Sequence, residues 1–167
     1  SDVGGGDPIY VCLSRYPNLC QPCHETSECA LDGASSACVV YQGEGAFCGG
    51  SCSADGECPE GFLCQESLTT SGGTTAQCVS ESGTCACSSS ALALALSTPC
   101  SVSNDEGSCD GIRVCMQGGL SDCDAATPAE ELCDGLDNDC DGDVDDGVVC
   151  DDANPCTGDV CQGDVGC

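Results

Sequence analysis

Large apolar residues are sparse along the chain and form only short runs between clusters of glycine, serine and aspartate. The longest apolar run is the segment 91–96, in which alanine and leucine alternate. Leu92, Leu94 and Leu96 thus recur with a period of two, which favours a strand with one leucine face. Six residues of alanine and leucine are also compatible with a helical turn, and that alternative stays open.

The middle of the chain contains the pattern of a β-hairpin. Two extended segments, 100–103 and 111–116, flank a polar turn at 104–107 that ends in glycine. The segment 127–130 reads Thr-Pro-Ala-Glu, in which threonine is a helix cap and proline takes the first helical position. The pattern therefore predicts a hairpin followed by a short helix start.

Cysteine content changes what this weak apolar pattern implies. The chain has 22 cysteines in 167 residues, no tryptophan and two phenylalanines. So few large apolar groups would leave a chain without a core, but disulfides, each worth about 2–4 kcal/mol, can replace one. Phe47 and Phe62 flank the cysteine cluster 48–64 and are the expected apolar filling. The predicted fold class is a set of small disulfide-rich modules, mostly irregular, with short antiparallel β-hairpins and little helix.

The charge excludes several kinds of partner. The formal net charge is −27, with 29 acidic residues, two arginines and no lysine. Such a surface repels nucleic acid and anionic membranes and attracts cations. No apolar run approaches the length of a membrane helix, so no membrane insertion is expected. Because disulfides persist outside the reducing cytosol, we expect a secreted, extracellular or cell-surface protein. Any signal peptide is expected to have been removed or to lie outside this chain.

Cysteine spacing and composition divide the chain into five segments. A glycine-rich flexible arm, 1–11, precedes a cysteine-rich module, 12–80. A cysteine-rich β-hairpin module, 81–128, is followed by an acidic metal-binding loop, 129–149, and a C-terminal cysteine repeat, 150–167. The chain stops on a cysteine, which suggests either truncation or one portion of a repeat array.

Other groups of cysteines have the spacing of zinc or redox sites, and the expected oxidising compartment disfavours both interpretations. Cys20, Cys23 and Cys29 with His24 have zinc-like spacing, but in an oxidising compartment disulfides are the favoured interpretation. The pair Cys85–Cys87 is a candidate redox pair, and pairing of each cysteine with a different partner is favoured. No nucleophile or zinc-protease motif accompanies the histidine, so we do not expect an enzyme.

The acidic loop carries the strongest chemical signal. Six carboxylates lie in the ten residues 137–146. Like charges this dense repel one another, so the loop must stay open or close around a cation. Carboxylates at alternate positions followed by Gly142 favour closure around one ion, because side chains of a tight loop then converge. The predicted ligands are Asp137, Asp139, Asp141, the main chain of Asp143, and either Asp145 or Asp146. The alternative is a solvated acidic face with aspartates that cap turns.

The type of ligand selects the metal. Oxygen ligands without imidazole suit Ca²⁺, whereas zinc and copper prefer nitrogen or sulfur, so copper is less expected. Cys133 and Cys140 bracket the start of the loop and are expected to form a disulfide that staples it. A second calcium site, for which turn capping is the alternative, is predicted around Cys156. Its ligands would be Asp152, Asn154 and Asp159.

The segment 131–147 closely resembles the MopE-type metal-binding motif repeat of cysteine-rich secreted and surface proteins of bacteria. The segment 107–128 resembles the stretch that commonly precedes this motif, and 151–157 resembles a repeat of the same proteins. The likeness covers about Cys85–Cys167 and implies a metal at the acidic loop. One departure is Asp146, where the family usually has glutamate, and the copper assigned to the family is not carried over.

Modularity, cross-linking and predicted calcium together favour a structural role. We expect self-association into a bacterial extracellular fibre, appendage or surface layer, with the arm 1–11 adding a strand to a neighbouring copy. The alternative is a monomeric cysteine-rich binding or adhesion module, or an inhibitor, that presents the low-complexity tip 67–75. That tip is expected to be a mobile loop, with O-linked sugar as a further alternative.

Overall fold

Short antiparallel strands dominate the molecule. The computed structural model describes residues 15–30, 35–151 and 158–167. The strands are β1 (Cys38–Tyr41), β2 (Gly45–Cys48), β3 (Gly50–Ser51), β4 (Phe62–Leu68), β5 (Thr74–Ser80), β6 (Ser97–Ser103), β7 (Ser108–Met116) and β8 (Gly119–Leu120). They form the sheets β1-β2, β3-β5-β4 and β6-β7-β8. Helical elements are α1 (Ser89–Ala93) and three 3-10 turns, Thr26–Glu28, Asp55–Glu57 and Gly163–Val165. The predicted fold class is confirmed.

One small apolar cluster supports the N-terminal half. Val39, Tyr41, Phe47 and Val79 are buried together, and the rings of Tyr41 and Phe47 meet edge-to-face at 5.3 Å. β1 and β2 place Val39 opposite Phe47, so β-branched and aromatic side chains share one face. Phe62 is only half-buried. Of the two phenylalanines expected to fill the interior, only Phe47 is buried in it.

A second cluster is made of sulfur rather than hydrocarbon. Four half-cystines, Cys23, Cys29, Cys38 and Cys48, are buried with Ala46. The described residues contain ten disulfides: 20–85, 23–38, 29–48, 52–64, 58–78, 87–115, 100–123, 109–140, 133–161 and 150–167. The remaining two cysteines, Cys12 and Cys156, lie outside the described residues.

The second half confirms the predicted hairpin and corrects the strand before it. β6 and β7 pair in register from Ser97–Val114 to Ser103–Ser108. The apolar run 91–96 does not form the favoured strand, because the five-residue helix α1 occupies its beginning. Ser88 caps this helix by accepting a bond from the Ala91 N–H, and Ala91 is completely buried.

The helix expected to start near Thr127 is absent, and this expectation was wrong. Residues 121–151 contain no helix or strand. The reason lies in tertiary contacts: the Asn104 side chain donates to the Pro128 carbonyl at 2.7 Å, and the Ala129 N–H donates to the Asn138 carbonyl at 2.9 Å. These groups would otherwise serve the first helical turn.

Several contacts join the two halves. The fully buried Thr98 hydroxyl of β6 donates to the Ala46 carbonyl of β2 at 2.8 Å and accepts from the Ala46 N–H. Gly45 lies against this threonine, where a Cβ atom would fall 2.5 Å from the hydroxyl oxygen. Arg113 of β7 donates to the Glu44 carbonyl at 3.3 Å. The disulfide 20–85 completes the connection.

The tip 67–75 is bonded to the neighbouring sheet, and its expected mobility stays a prediction. It forms the turn between β4 and β5, and the Thr70 N–H donates to the Cys38 carbonyl of β1 at 3.0 Å. Ser67 and Thr69 are buried, whereas Leu68 between them and residues 71–74 of the outermost turn are exposed. Within the described part of the chain, no helix is long and apolar enough to cross a membrane. The predicted arm, 1–11, lies outside the described residues.

Candidate metal centre

The acidic loop is held in place by the β6–β7 hairpin. Cys140, in the middle of the loop, is bonded to the buried Cys109 of β7. Gly107 at the hairpin tip lies directly against the loop, where a Cβ atom would fall 2.0 Å from the Asp139 carbonyl oxygen. The loop has no regular secondary structure. One side of it is nevertheless fixed by a disulfide and by steric contact with the hairpin.

The expected disulfide between Cys133 and Cys140 is wrong. Cys133 pairs with Cys161, and Cys140 pairs with Cys109. The two cysteines lie on different sides of the loop, one towards the C-terminal turn and the other towards β7. The loop is consequently tethered to two neighbouring segments instead of being closed on itself.

Three aspartates of the loop each use one carboxylate oxygen to bind a nearby backbone amide. The Gly142 N–H donates to Asp137 Oδ2 at 3.1 Å, and the Asp141 N–H donates to Asp139 Oδ1 at 3.0 Å. The Asp143 N–H donates to Asp141 Oδ1 at 2.9 Å. These bonds wind the chain into a tight loop and fix the orientation of each carboxylate, so that its second oxygen has a defined direction. Gly142 has φ 103°, the left-handed region that glycine adopts without strain.

A glutamate that lies outside the predicted ligand set joins this loop. Oxygen atoms of Glu131, Asp137 and Asp139 all lie within 4.8 Å of one another. Glu131 Oε1 accepts from the N–H groups of Asn138 and Asp139, the latter at 3.1 Å. The sequence pattern did not indicate Glu131 as a candidate ligand, because it lies six residues before Asp137 and outside the alternating spacing. Its position as first residue of the resembling segment 131–147 was the available signal.

Two oxygens of this carboxylate cluster are left without a hydrogen-bond donor. Glu131 Oε2 and Asp137 Oδ1 are both closed off from solvent and accept no hydrogen bond. A buried carboxylate oxygen without a partner carries a desolvation cost, which a cation removes. The donor set, with several carboxylate oxygens directed at one place, fits a hard divalent ion.

The carboxylates of Asp146 and Asp145 have different surroundings. The pKa of the Asp146 carboxyl is raised, chiefly by the negative charge of Asp141 and next by partial desolvation. Smaller contributions come from Asp139, Glu131 and Asp143, so Asp146 lies within the same field of negative charge.

Asp145 has a different task. Its Oδ1 accepts from the N–H groups of Asp134 and Gly135, at 3.0 and 2.9 Å. The residue adopts φ 56° and closes the turn that starts at Cys133. Of the two carboxylates that the spacing left open as the closing ligand, Asp145 is bonded to the turn at Asp134 and Gly135, and Asp146 lies within the negative field of the cluster.

The second predicted site cannot be assembled from the described residues. Asp152 and Asn154 lie outside them, and Asp159 is exposed. That site stays a prediction.

The clusters of cysteines do not provide thiolate ligands for a metal. The sulfur atoms of Cys23, Cys29 and Cys48 lie within 4.8 Å of one another, as do those of Cys52, Cys58 and Cys78. Each of these sulfurs is bonded to another sulfur, so none is a thiolate that a metal requires. The zinc-like spacing near His24 thus resolves into disulfides, as favoured. Cys85 and Cys87 pair with different partners, Cys20 and Cys115, which is also as favoured.

Two open cavities lie between the halves. One, of about 440 Å³, is bounded by the β1–β2 turn and by Arg113. The other, of about 350 Å³, contains a 2.9 Å contact between His24 Nε2 and Ser97 Oγ. Glu28 accepts from the His24 backbone N–H, and within the described part of the chain no acid is bonded to the imidazole ring.

No family model, curated protein or solved structure matches this chain.

Proposed function

We propose that this chain is a secreted, disulfide-stapled structural protein that binds Ca²⁺ in its acidic loop and associates with copies of itself. The observation that carries the proposal is the convergence of Glu131, Asp137 and Asp139, whose oxygens approach within 4.8 Å in a chain of net charge −27. A close group of carboxylates needs a counter-charge, and this chain supplies almost none of its own.

Calcium suits this group better than other metals. All the converging atoms are carboxylate oxygens, which hard cations prefer. Ca²⁺ accepts irregular coordination with six to eight oxygens, whereas Mg²⁺ demands near-octahedral geometry. Zinc and copper favour nitrogen or thiolate sulfur, and the described cysteines are oxidised. Ten disulfides also fit an oxidising compartment outside the cytosol.

Exposed aliphatic side chains support self-association. The C-terminal region exposes six of them: Leu132, Leu136, Val144, Val149, Val160 and Val165. All are at least half exposed, with Val149 at 87%. Apolar side chains concentrated in an otherwise acidic region are typical of a surface that is covered by a partner. The outer edge of β4 also has no strand partner along the strand among the described residues, so it is open to strand addition.

The arm 1–11 is our candidate for that added strand. Deleting residues 1–11 should leave the monomer folded and binding Ca²⁺ while abolishing fibres seen by electron microscopy. Unchanged assembly of the truncated chain would exclude this role for the arm.

Two measurements test calcium and polymer separately. Elemental analysis of the purified protein should find calcium and no stoichiometric copper, and titration calorimetry of the metal-free chain should give saturable Ca²⁺ binding. Electron microscopy with and without a calcium chelator should show ordered assemblies that loosen when calcium is removed. A chain that remains monomeric under both conditions, and that captures one saturable partner, would instead support the binding-module alternative.

A further inference from the structure

Glu131 belongs to the acidic loop by contact although not by sequence spacing. Its Oε1 atom accepts from the backbone N–H groups of Asn138 and Asp139. The Asn138 side chain in turn accepts from the Leu132 N–H at 3.0 Å. These reciprocal bonds fasten the segment before the loop across its first turn, so the glutamate carboxylate is held rigidly beside the aspartates.

The second oxygen of Glu131 has no such bond. Glu131 Oε2 is shut off from solvent, as is Asp137 Oδ1, and neither accepts a hydrogen bond. Both atoms belong to residues whose carboxylates approach each other within 4.8 Å. Carboxylates that approach each other this closely repel, and a cation between them removes the repulsion.

The protein's own cations do not supply that charge. Arg113 is bonded to the carbonyl groups of Ser121 and Glu44 and forms an ion pair with the Glu44 carboxylate at 3.8 Å. Arg15 stacks on the Tyr16 ring, 5.2 Å from its centre. The chain has no lysine and no third arginine. Both arginines are thus engaged elsewhere, and a cation from outside the chain would supply the positive charge.

We propose that Glu131 is a direct ligand of the divalent cation, through Oε2, and that Asp145 is not a ligand. This inference rests on the calcium site proposed above and defines its ligands further. The ion lies between two parts of the acidic loop, with Glu131 contributed from its start and Asp137 and Asp139 from the series of alternating aspartates. Asp145 closes the turn at Asp134 and Gly135, and its charge affects the ion only from a distance.

Matched amide substitutions test this assignment. Glu131→Gln and Asp145→Asn each remove one negative charge, and each keeps a carbonyl oxygen that can accept the same backbone bonds. Calorimetric titration of the metal-free chain with Ca²⁺ should show about a tenfold or greater rise in Kd for Glu131→Gln. Asp145→Asn should raise Kd by less than about threefold, because its charge is removed from outside the coordination shell. Equal effects of the two substitutions would overturn the inference.

A positive control separates this inference from the calcium proposal itself. Asp137→Asn should abolish binding if the loop holds the ion at all. A wild-type chain that binds no Ca²⁺ would remove the proposed function together with the ligand assignment. Wild-type binding that is lost in Asp137→Asn but is equally mild in Glu131→Gln and Asp145→Asn would leave the calcium site standing and remove Glu131 from it.

A measurement on the unaltered chain covers the case in which Glu131→Gln does not fold. Carbon-detected NMR of the side-chain carboxyl groups, followed through a Ca²⁺ titration, should move the Glu131 signal together with that of Asp137. The Asp145 signal should move much less. A Glu131 carboxyl signal that stays in place while Asp137 shifts would overturn the assignment.

Discussion

The β1–β5 half of the molecule and the acidic loop both lack a large hydrocarbon core. They differ in the interactions that satisfy their backbone groups and fill their interior. In the β1–β5 half, strand pairing satisfies the backbone, and Phe47 with four neighbouring half-cystines fills the interior. In the acidic loop, the backbone N–H groups of residues such as Gly142 and Asp141 are satisfied by carboxylates instead.

This difference has a thermodynamic consequence. A strand ladder satisfies backbone groups without adding charge, whereas each carboxylate-to-amide bond also brings in a negative charge. The acidic loop thus collects like charges as it folds, and the raised pKa of Asp146 is the result. We infer that the stability of the β1–β5 half is indifferent to cations and that the stability of the acidic loop depends on them.

The largest expected effect comes from removing the aromatic centre of the β1–β5 half. Phe47 is 1% exposed, and Phe47→Ala should lower the free energy of unfolding by about 3–5 kcal/mol, the cost typical of an emptied aromatic site. Urea unfolding with disulfides intact, followed by circular dichroism, measures it. The loss should be the same with calcium and with chelator, and Kd for Ca²⁺ should not change.

Leu63→Ala is the matched control in the neighbouring strand β4. Leu63 is 42% exposed, so its truncation should change the free energy of unfolding by less than about 1 kcal/mol. A strongly weakened calcium affinity in Phe47→Ala would contradict the separation between the two regions.

Removing one disulfide from each region should give similar losses of stability but different effects on calcium. The paired substitution Cys109→Ala with Cys140→Ala opens the bond that fixes the acidic loop, and Cys52→Ala with Cys64→Ala opens one in the β1–β5 half. Each should lower the free energy of unfolding by about 2–4 kcal/mol. Calorimetry should detect weakened Ca²⁺ binding only in the first pair, because only its loop loses preorganisation. Equal calcium affinities would show that the loop forms without its tether.

Local sequence patterns foretold those parts of the fold that depend on neighbouring residues. The β6–β7 hairpin follows from extended segments around the turn Asn104–Gly107, where the Asn104 side chain accepts from the Glu106 N–H at 2.9 Å. The strand predicted from the alternation of leucines is replaced by the α1 helix, because Ser88 caps a helical turn there. The helix predicted at Thr127 failed for another reason, since a distant side chain, Asn104, takes the Pro128 carbonyl.

In the candidate metal centre, too, contacts between residues close in sequence were predictable and contacts between distant residues were not. Alternating aspartates predicted the wound loop of Asp137, Asp139 and Asp141, because the bonds that shape it span two to five residues. The spacing did not indicate the contact of Glu131 with the aspartates, and it left Asp145 as a candidate closing ligand, since the backbone partners of these two carboxylates lie seven to eleven residues away. Cysteine pairing was equally beyond the sequence, as many connectivities satisfy the same composition.

A smaller effect is expected from the steric contact between the hairpin tip and the loop. A Cβ atom at Gly107 would overlap the Asp139 carbonyl oxygen, so Gly107→Ala must push the loop away from β7. We expect a loss of about 1–3 kcal/mol in the free energy of unfolding, together with weaker Ca²⁺ binding, although no carboxylate is altered. Gly118→Ala is the control, since nothing lies within 4 Å of a Cβ atom there and its strain is confined to φ 112°. Calcium affinity equal in both variants would show that the hairpin does not position the site.

The smallest expected effect is a pH dependence of opposite sign in the two regions. The pKa of Asp146 is raised by neighbouring carboxylates, so the folded metal-free chain binds more protons there than the unfolded chain, and this contribution favours folding increasingly as pH falls. The pKa of Glu57 in the β1–β5 half is lowered, chiefly by the N–H and hydroxyl bonds from Ser53, so its stabilisation is present near neutral pH and is lost as pH falls through the lowered value.

Substitution separates these two contributions to the pH dependence. Urea midpoints are measured in chelator from about pH 7 to about pH 4. In Asp146→Asn, the stabilisation that appears as pH falls should be missing. In Glu57→Gln, the destabilisation that appears as pH falls should be missing. Saturating Ca²⁺ should remove the Asp146 effect alone, because the cation then supplies the positive charge that the proton supplied. An Asp146 contribution that persists unchanged in calcium would mean that this carboxylate lies outside the field of the bound ion, and the acidic loop would then hold two independent groups of charges.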